Sequence, residues 1–166
     1  MSMNLRIPSF LQSAAPACLL VLASSLAQAQ LAIEITGAGA NRMPVAVASF
    51  EGENALPRAV TDVVRADLER SGLFKMVELG PSPMGADAPV DFGRIRSRGA
   101  DAVAVGTVSP SGGRYQVQVR LHDAAKQVSL GSQAMVMSPN QYRTTGHRIS
   151  DFIYEKLTGE PGVFST

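Results

Sequence analysis

The sequence is short of the residues on which many enzyme and metal sites depend. It contains one cysteine, two histidines and no tryptophan among 166 residues. The cysteine, Cys18, lies in an N-terminal apolar run, so the rest of the chain has no disulfide framework, no thiol nucleophile and no cysteine-based metal site. The histidines, His122 and His147, fit no H-E-x-x-H or other paired-ligand spacing. We therefore expect no metal, no cofactor and no catalytic residue.

The sequence also lacks a large net charge of either sign. The chain has 15 basic and 14 acidic residues, and a single charged residue, Arg6, lies among the first 29. Removal of that segment would leave 14 residues of each sign. A balanced charge argues against nucleic acid or an anionic membrane surface as the partner.

Two glycine motifs that mark common enzymes are missing or incomplete. No serine sits in a G-x-S-x-G elbow, which excludes the common hydrolase signature. Gly37-Ala38-Gly39 is half of a dinucleotide-binding fingerprint, but the third glycine is absent and no helix is predicted after it. A nucleotide cofactor is therefore not expected.

The charged clusters have simple interpretations. The densest basic cluster allows a phosphate or partner contact, but a solvated short helix is favoured; it consists of Arg94, Arg96 and Arg98. The acids on the polar side of the first long helix indicate solvation; they are Asp62, Asp67 and Glu69. His147 is expected to pack against the sheet and form a hydrogen bond.

The N-terminus has the layout of a secretory signal. An apolar run from Ala14 to Ala23 precedes the small-x-small site Ala27-Gln28-Ala29. The run is shorter than the about 20 residues that span a membrane, and Cys18 lies inside it rather than after it, which argues against lipidation. We predict a signal peptide over residues 1–29 and a mature periplasmic chain that begins at Gln30, with no membrane insertion after cleavage.

Period-2 and period-3.6 patterns predict the secondary structure of the mature chain. The predicted elements are a strand at 31–36, a flexible link at 37–41, a strand at 44–50, a helix at 57–71, a strand at 74–79, a short helix at 91–97, strands at 102–108, 115–121 and 128–137, and a helix at 140–157. Strand–helix–strand units favour parallel pairing, and short turns favour antiparallel pairing. The predicted class is α/β, with a single mixed β-sheet (βαβαβ plus an antiparallel meander) and about three helices packed mainly on one face.

The first predicted strand is apolar, alternating and free of proline. The glycine link separates it from the rest of the chain. Such a segment can pair with an edge of its own sheet or with the edge of another protein's sheet. The pattern leaves both possibilities open.

Several segments resemble the amino-terminal domain of TolB. They are Ile33–Gly37, Pro44–Phe50, Ala66–Phe74, Gly99–Gly106, Tyr115–Val117, His147–Gly159 and Gly162–Thr166. The resemblance implies a non-enzymatic periplasmic adaptor of the Tol–Pal envelope system, which supports outer-membrane constriction at cell division, envelope integrity and protein import. It also implies that the N-terminal strand binds TolA, through Gln30, Leu31, Ile33, Ile35, Thr36 and Gly37.

The resemblance also implies a domain organisation. Residues 30–43 are expected to form the partner-binding strand and link, 44–159 the α/β domain, and 160–166 a tail that leads in the family to a β-propeller, which this sequence does not include. The propeller binds Pal, so Pal is an expected partner only where a propeller follows. Two alternatives remain: a stand-alone periplasmic domain of another envelope or secretion assembly, and a hydrolase or small-molecule binder that uses His122, His147 and nearby acids.

Overall fold

The computed structural model describes residues 42–166. Its strands are β1 (Met43–Val47), β2 (Phe74–Met76), β3 (Ala102–Ser111), β4 (Arg114–Asp123) and β5 (Val128–Met137), and its helices are α1 (Val60–Arg70), α2 (Phe92–Ser97) and α3 (Tyr142–Thr158). Short 3-10 turns lie at Glu53–Ala55 and Pro139–Gln141. The predicted leader, N-terminal strand and glycine link lie outside the described residues.

The five strands form one mixed sheet in the order β2-β1-β3-β4-β5. β1 is parallel to both β2 and β3, whereas β3, β4 and β5 form an antiparallel meander. This arrangement confirms the predicted fold class. It follows from the connections, because helices join the parallel strands and tight turns join the antiparallel ones.

The helices cover the two faces of the sheet unequally. On one face, α1 and α3 bury their apolar stripes against alternate residues of the strands, and this larger core includes Val64, Leu68, Ile149 and Ile153. On the other face, α2 inserts Ile95 into a smaller core that includes the alternate residues of β1 and β3. The two long helices therefore share one face, and the short helix packs on the other.

β4 shows the alternation that its sequence predicts. Val117, Val119 and Leu121 are buried in the larger core. The residues between them, Gln118 and Arg120, are only partly buried. One face of β4 is therefore buried against α1 and α3, and the other face is partly exposed at these two positions.

The ends of several elements differ from the sequence prediction. α1 begins at Val60 rather than Pro57, because its first turn is capped by Glu53, a side chain from outside the helix. β1 ends at Val47, and only isolated bridges continue its path at Phe50 and Glu51. β3 runs on to Ser111 because the tight turn lies at Gly112 and Gly113, whose φ angles are 55° and 78°.

The C-terminal tail has no helix or strand, as predicted, but it is held against α3. Asp151 accepts hydrogen bonds from the backbone N–H groups of Phe164 at 2.8 Å and Ser165 at 3.1 Å. The Phe164 ring packs edge-on against Tyr154 at 5.8 Å, and Tyr154 packs edge-on against Phe74 at 6.0 Å. A continuous set of aromatic contacts thus connects the tail to β2.

Candidate functional site

The largest group of polar side chains that contact one another lies between α1 and α3. These helices approach closely at Gly146, where an added Cβ would lie 2.6 Å from the Cβ of Val63 and 3.4 Å from the Val60 carbonyl oxygen. Beside this contact they enclose an open cavity of about 360 Å³, which we call the α1–α3 cleft. Residues 58–70 and 142–147 contribute its walls.

A buried carboxylate contacts two residues of the cleft wall, Arg70 and His147. Asp67 is 1% exposed, and its Oδ2 lies 2.6 Å from Nδ1 of His147 and 3.0 Å from the Ser150 hydroxyl, which donates to it. Arg70 donates to the other oxygen at 3.1 Å. The prediction that Asp67 is solvated is therefore wrong, because α3 covers the part of α1 that carries this residue.

His147 lies on α3, where its ring contacts Asp67 of α1 and also lines the cleft. The predicted hydrogen bond exists, but the predicted packing against the sheet is wrong, since the ring contacts Asp67 on α1 and its side chain is 27% exposed. Ser150 is fully buried and donates to the Gly146 carbonyl oxygen as well as to Asp67. The serine is therefore committed to packing and is not presented as a nucleophile.

His122 occupies a separate environment. It lies on β4, and its ring packs edge-on against Phe92 at 5.7 Å. Burial, followed by the positive charge of Arg120, lowers the pKa of His122 below its ordinary value of 6.5. The α2 face carries His122 and the α1–α3 face carries His147, so the two histidines do not form a common site.

The lowered pKa of His122 gives a direct prediction. In a pH titration followed by NMR, the His122 ring should gain its proton below pH 6.5. The folded state disfavours the charged ring, so this residue should reduce stability as the pH falls below 6.5 and the unfolded chain takes up the proton first. An Arg120→Gln variant should titrate at higher pH than the parent. A His122 midpoint at or above 6.5 in the parent would contradict this assignment.

The remaining predicted charged residues have local roles. Arg94 donates to the Leu79 carbonyl oxygen at 3.0 Å, while Arg96 and Arg98 are exposed and form no ion pair with any residue in the range 42–166. Asp62 pairs with Arg65 at 3.3 Å on the surface. Both observations agree with solvated helix faces.

Neither a metal site nor a membrane span is found in the part of the chain that the structure describes. Within residues 42–166, no three histidine, cysteine or acidic side chains are grouped as metal ligands would be. No helix in that range is both long and apolar enough to cross a membrane. The six residues predicted to contact a partner lie outside it, so that prediction is untested; they are Gln30, Leu31, Ile33, Ile35, Thr36 and Gly37.

The family model and the curated relatives identify the same family. The family model for the TolB amino-terminal domain matches residues 31–130. A Tol-Pal system protein TolB from Aromatoleum aromaticum is 56% identical over 154 residues, which cover 89% of this chain and 36% of that protein. Another from an Azoarcus species is 56% identical over 133 residues, covering 80% of this chain and 31% of that protein.

A solved structure supports the same assignment. The crystal structure of TolB from Acinetobacter baumannii superposes with a TM-score of 0.65 at 28% identity, over 75% of this chain and 30% of that one. The chain spans about a third of the length of the curated relatives it matches. Taken together with the mixed sheet described above, these matches show that the chain belongs to the TolB amino-terminal domain family.

Proposed function

We propose that the chain is a non-enzymatic periplasmic adaptor of the Tol–Pal system and that its segment Gln30–Gly37 binds TolA. The observation that carries the proposal is the family match, which begins at Leu31 and so includes nearly all of this segment. The relatives of this chain bear the name Tol-Pal system protein TolB. In this role the chain supports outer-membrane constriction at division, envelope integrity and protein import.

The segment has the chemistry for pairing with a sheet edge. Strand alternation places Leu31, Ile33 and Ile35 on one face, so all three can enter a partner's core together. About four backbone hydrogen bonds of roughly 0.5–1.5 kcal/mol each do not offset an association cost on the order of 4–15 kcal/mol. Burial of the three side chains adds roughly 1.5–3 kcal/mol each. With the association cost at the low end of its range, about 4 kcal/mol, these gains leave roughly 7 kcal/mol, which corresponds to a Kd in the micromolar range and suits a reversible contact.

The α/β domain supports an adaptor role rather than catalysis. The polar side chains that resemble catalytic groups are used to join elements: Asp67 links α1 to α3, and Ser150 is fully buried. His122 and His147 lie in separate environments, so they do not combine as an acid–base pair. The leader predicted over residues 1–29 supports the periplasmic location.

Two variants of the N-terminal segment test the proposal. Deletion of Gln30–Gly37, or Ile33→Asp combined with Ile35→Asp, should weaken TolA binding at least 30-fold in calorimetry, because each removes the apolar face of the strand. The circular dichroism spectrum and thermal transition of the domain should not change.

Ala32→Asp is the matched control, because it adds charge to the opposite face of the strand. It should retain TolA binding within about threefold of the parent. TolA binding of equal strength by the parent and by the deletion variant would show that the segment is not the contact, and the proposal would then fail.

A further inference from the structure

We propose that the α1–α3 cleft binds the oxyanion group, carboxylate or phosphate, of a small ligand. This site goes beyond the proposed TolA contact and uses none of its residues. Two cationic side chains that form no ion pair within residues 42–166 open onto the cleft, and a buried carboxylate fixes the orientation of the histidine beside them.

The cleft contains more positive charge than its own acids neutralise. Arg58, just before α1, and Arg143, in the first turn of α3, both line it and are exposed. Neither forms an ion pair with any residue between 42 and 166. The acid on the rim, Asp62, is paired with Arg65, and the buried Asp67 is paired with Arg70. The two unpaired guanidinium groups are therefore available, and their planar forks match the oxygens of a carboxylate or a phosphate.

His147 supplies a third polar contact in a fixed orientation. Its Nδ1 is held by Asp67 at 2.6 Å, and within the described residues its Nε2 has no hydrogen-bond partner. Both the ring and the Tyr142 side chain line the cleft. Asp67 is thus a positioning residue, because it holds the imidazole through Nδ1, and Nε2 can donate to an oxyanion in the doubly protonated form of the ring.

The size and walls of the cleft indicate the class of ligand. Its volume of about 360 Å³ lies near the lower end of the range for small-molecule sites. Small side chains at Ala59, Val63 and Ala66 leave this space unfilled. The cleft is open on one side, so a bound ligand stays partly in contact with solvent, and a dissociation constant in the millimolar range is expected. A small organic or inorganic oxyanion fits this combination of volume and charge.

The test is an NMR titration of the isotopically labelled chain processed after Ala29. Inorganic phosphate and succinate are added in separate titrations, with sodium chloride holding the ionic strength constant. Saturable shifts are expected at the amides of Arg143 and His147 with at least one of the two anions. Saturation by phosphate alone assigns a phosphate ligand, and saturation by succinate alone assigns a carboxylate ligand. Shifts that grow linearly with both anions would overturn the proposal.

Paired arginine variants separate the cleft from general surface charge. Arg58→Gln combined with Arg143→Gln should weaken anion binding at least tenfold. Arg96→Gln combined with Arg98→Gln removes the same charge from the C-terminal end of α2 and its C-cap and should leave binding unchanged. Equal affinity of the first variant and the parent would overturn the proposal. TolA binding should be the same in all of these variants, so failure here is distinguishable from failure of the adaptor role.

Discussion

Replacing Glu53 with alanine should lower the free energy of unfolding by about 2–5 kcal/mol. The Glu53 carboxylate is buried and accepts hydrogen bonds from the backbone N–H groups of Phe50 at 3.0 Å and Thr61 at 3.3 Å, and from the Thr61 hydroxyl at 2.8 Å. The N-cap residue of α1 is Ala59, which has no side-chain acceptor. Removal of the carboxylate leaves buried donors unsatisfied, and each costs about 1–3 kcal/mol.

Two control variants make the Glu53 experiment specific. Glu53→Gln keeps an acceptor oxygen in the same place and should cost clearly less than Glu53→Ala, since it loses only the charge and part of the hydrogen bonding. Glu69→Ala removes an exposed acid of α1 and should change stability by less than about 0.5 kcal/mol. Urea denaturation of the three variants measures these differences. If Glu53→Ala is no more destabilising than Glu69→Ala, the buried cap does not support α1.

Replacing Phe50 with alanine should cost about 3–5 kcal/mol, the usual range for deletion of a buried aromatic side chain. Phe50 is 1% exposed and follows β1. Its ring lies over Gly106 of β3, where an added Cβ would come within 2.7 Å of the ring and of the Gln118 carbonyl oxygen. The absence of a side chain at position 106 therefore makes room for this ring on the central strand.

A double-mutant cycle between positions 50 and 106 tests this packing. Gly106→Ala alone should cost about 1–3 kcal/mol, because the new methyl group pushes against a ring and a backbone oxygen. In the Phe50→Ala background the same change should cost less, since only the contact with Gln118 remains. Urea unfolding measures the stability of the parent, the two single variants and the double variant. Strict additivity of the two changes would show that the ring and the glycine are not coupled.

Much of the fold could be predicted because its signals are local. Alternation over residues 115–121 and the glycine turn before it specify the hairpin between β3 and β4, and β5 has the predicted bounds. The start of α1 could not be predicted in this way. Pro57 is a good first-turn residue by itself, but the cap comes from Glu53 across a turn, and no periodicity reports such a contact.

The polar network between the helices could not be predicted for the same reason. Asp67 is a polar residue in a helical pattern, and its partners His147 and Ser150 lie 80 or more positions later. A partial signal exists, because Ser150 borders the apolar stripe that carries Ile149 and Ile153, and His147 lies three residues before it, one turn away. Polar residues next to an apolar stripe indicate that the facing helix supplies a polar side chain as their hydrogen-bond partner.

The position of β1 in the sheet has a consequence for the order of assembly. β1 precedes its two neighbours in the chain, and it lies between β2 and β3 as their only common partner. As the chain emerges from its N-terminus, β2 becomes available to one edge of β1 first, but the other edge stays without its partner until β3 has emerged. The meander of β3, β4 and β5, in contrast, closes through short turns. Of the strands in residues 42–166, β1 emerges first but gains its second partner late, so the pairing of β1 with β3 waits for more than half of this range to emerge.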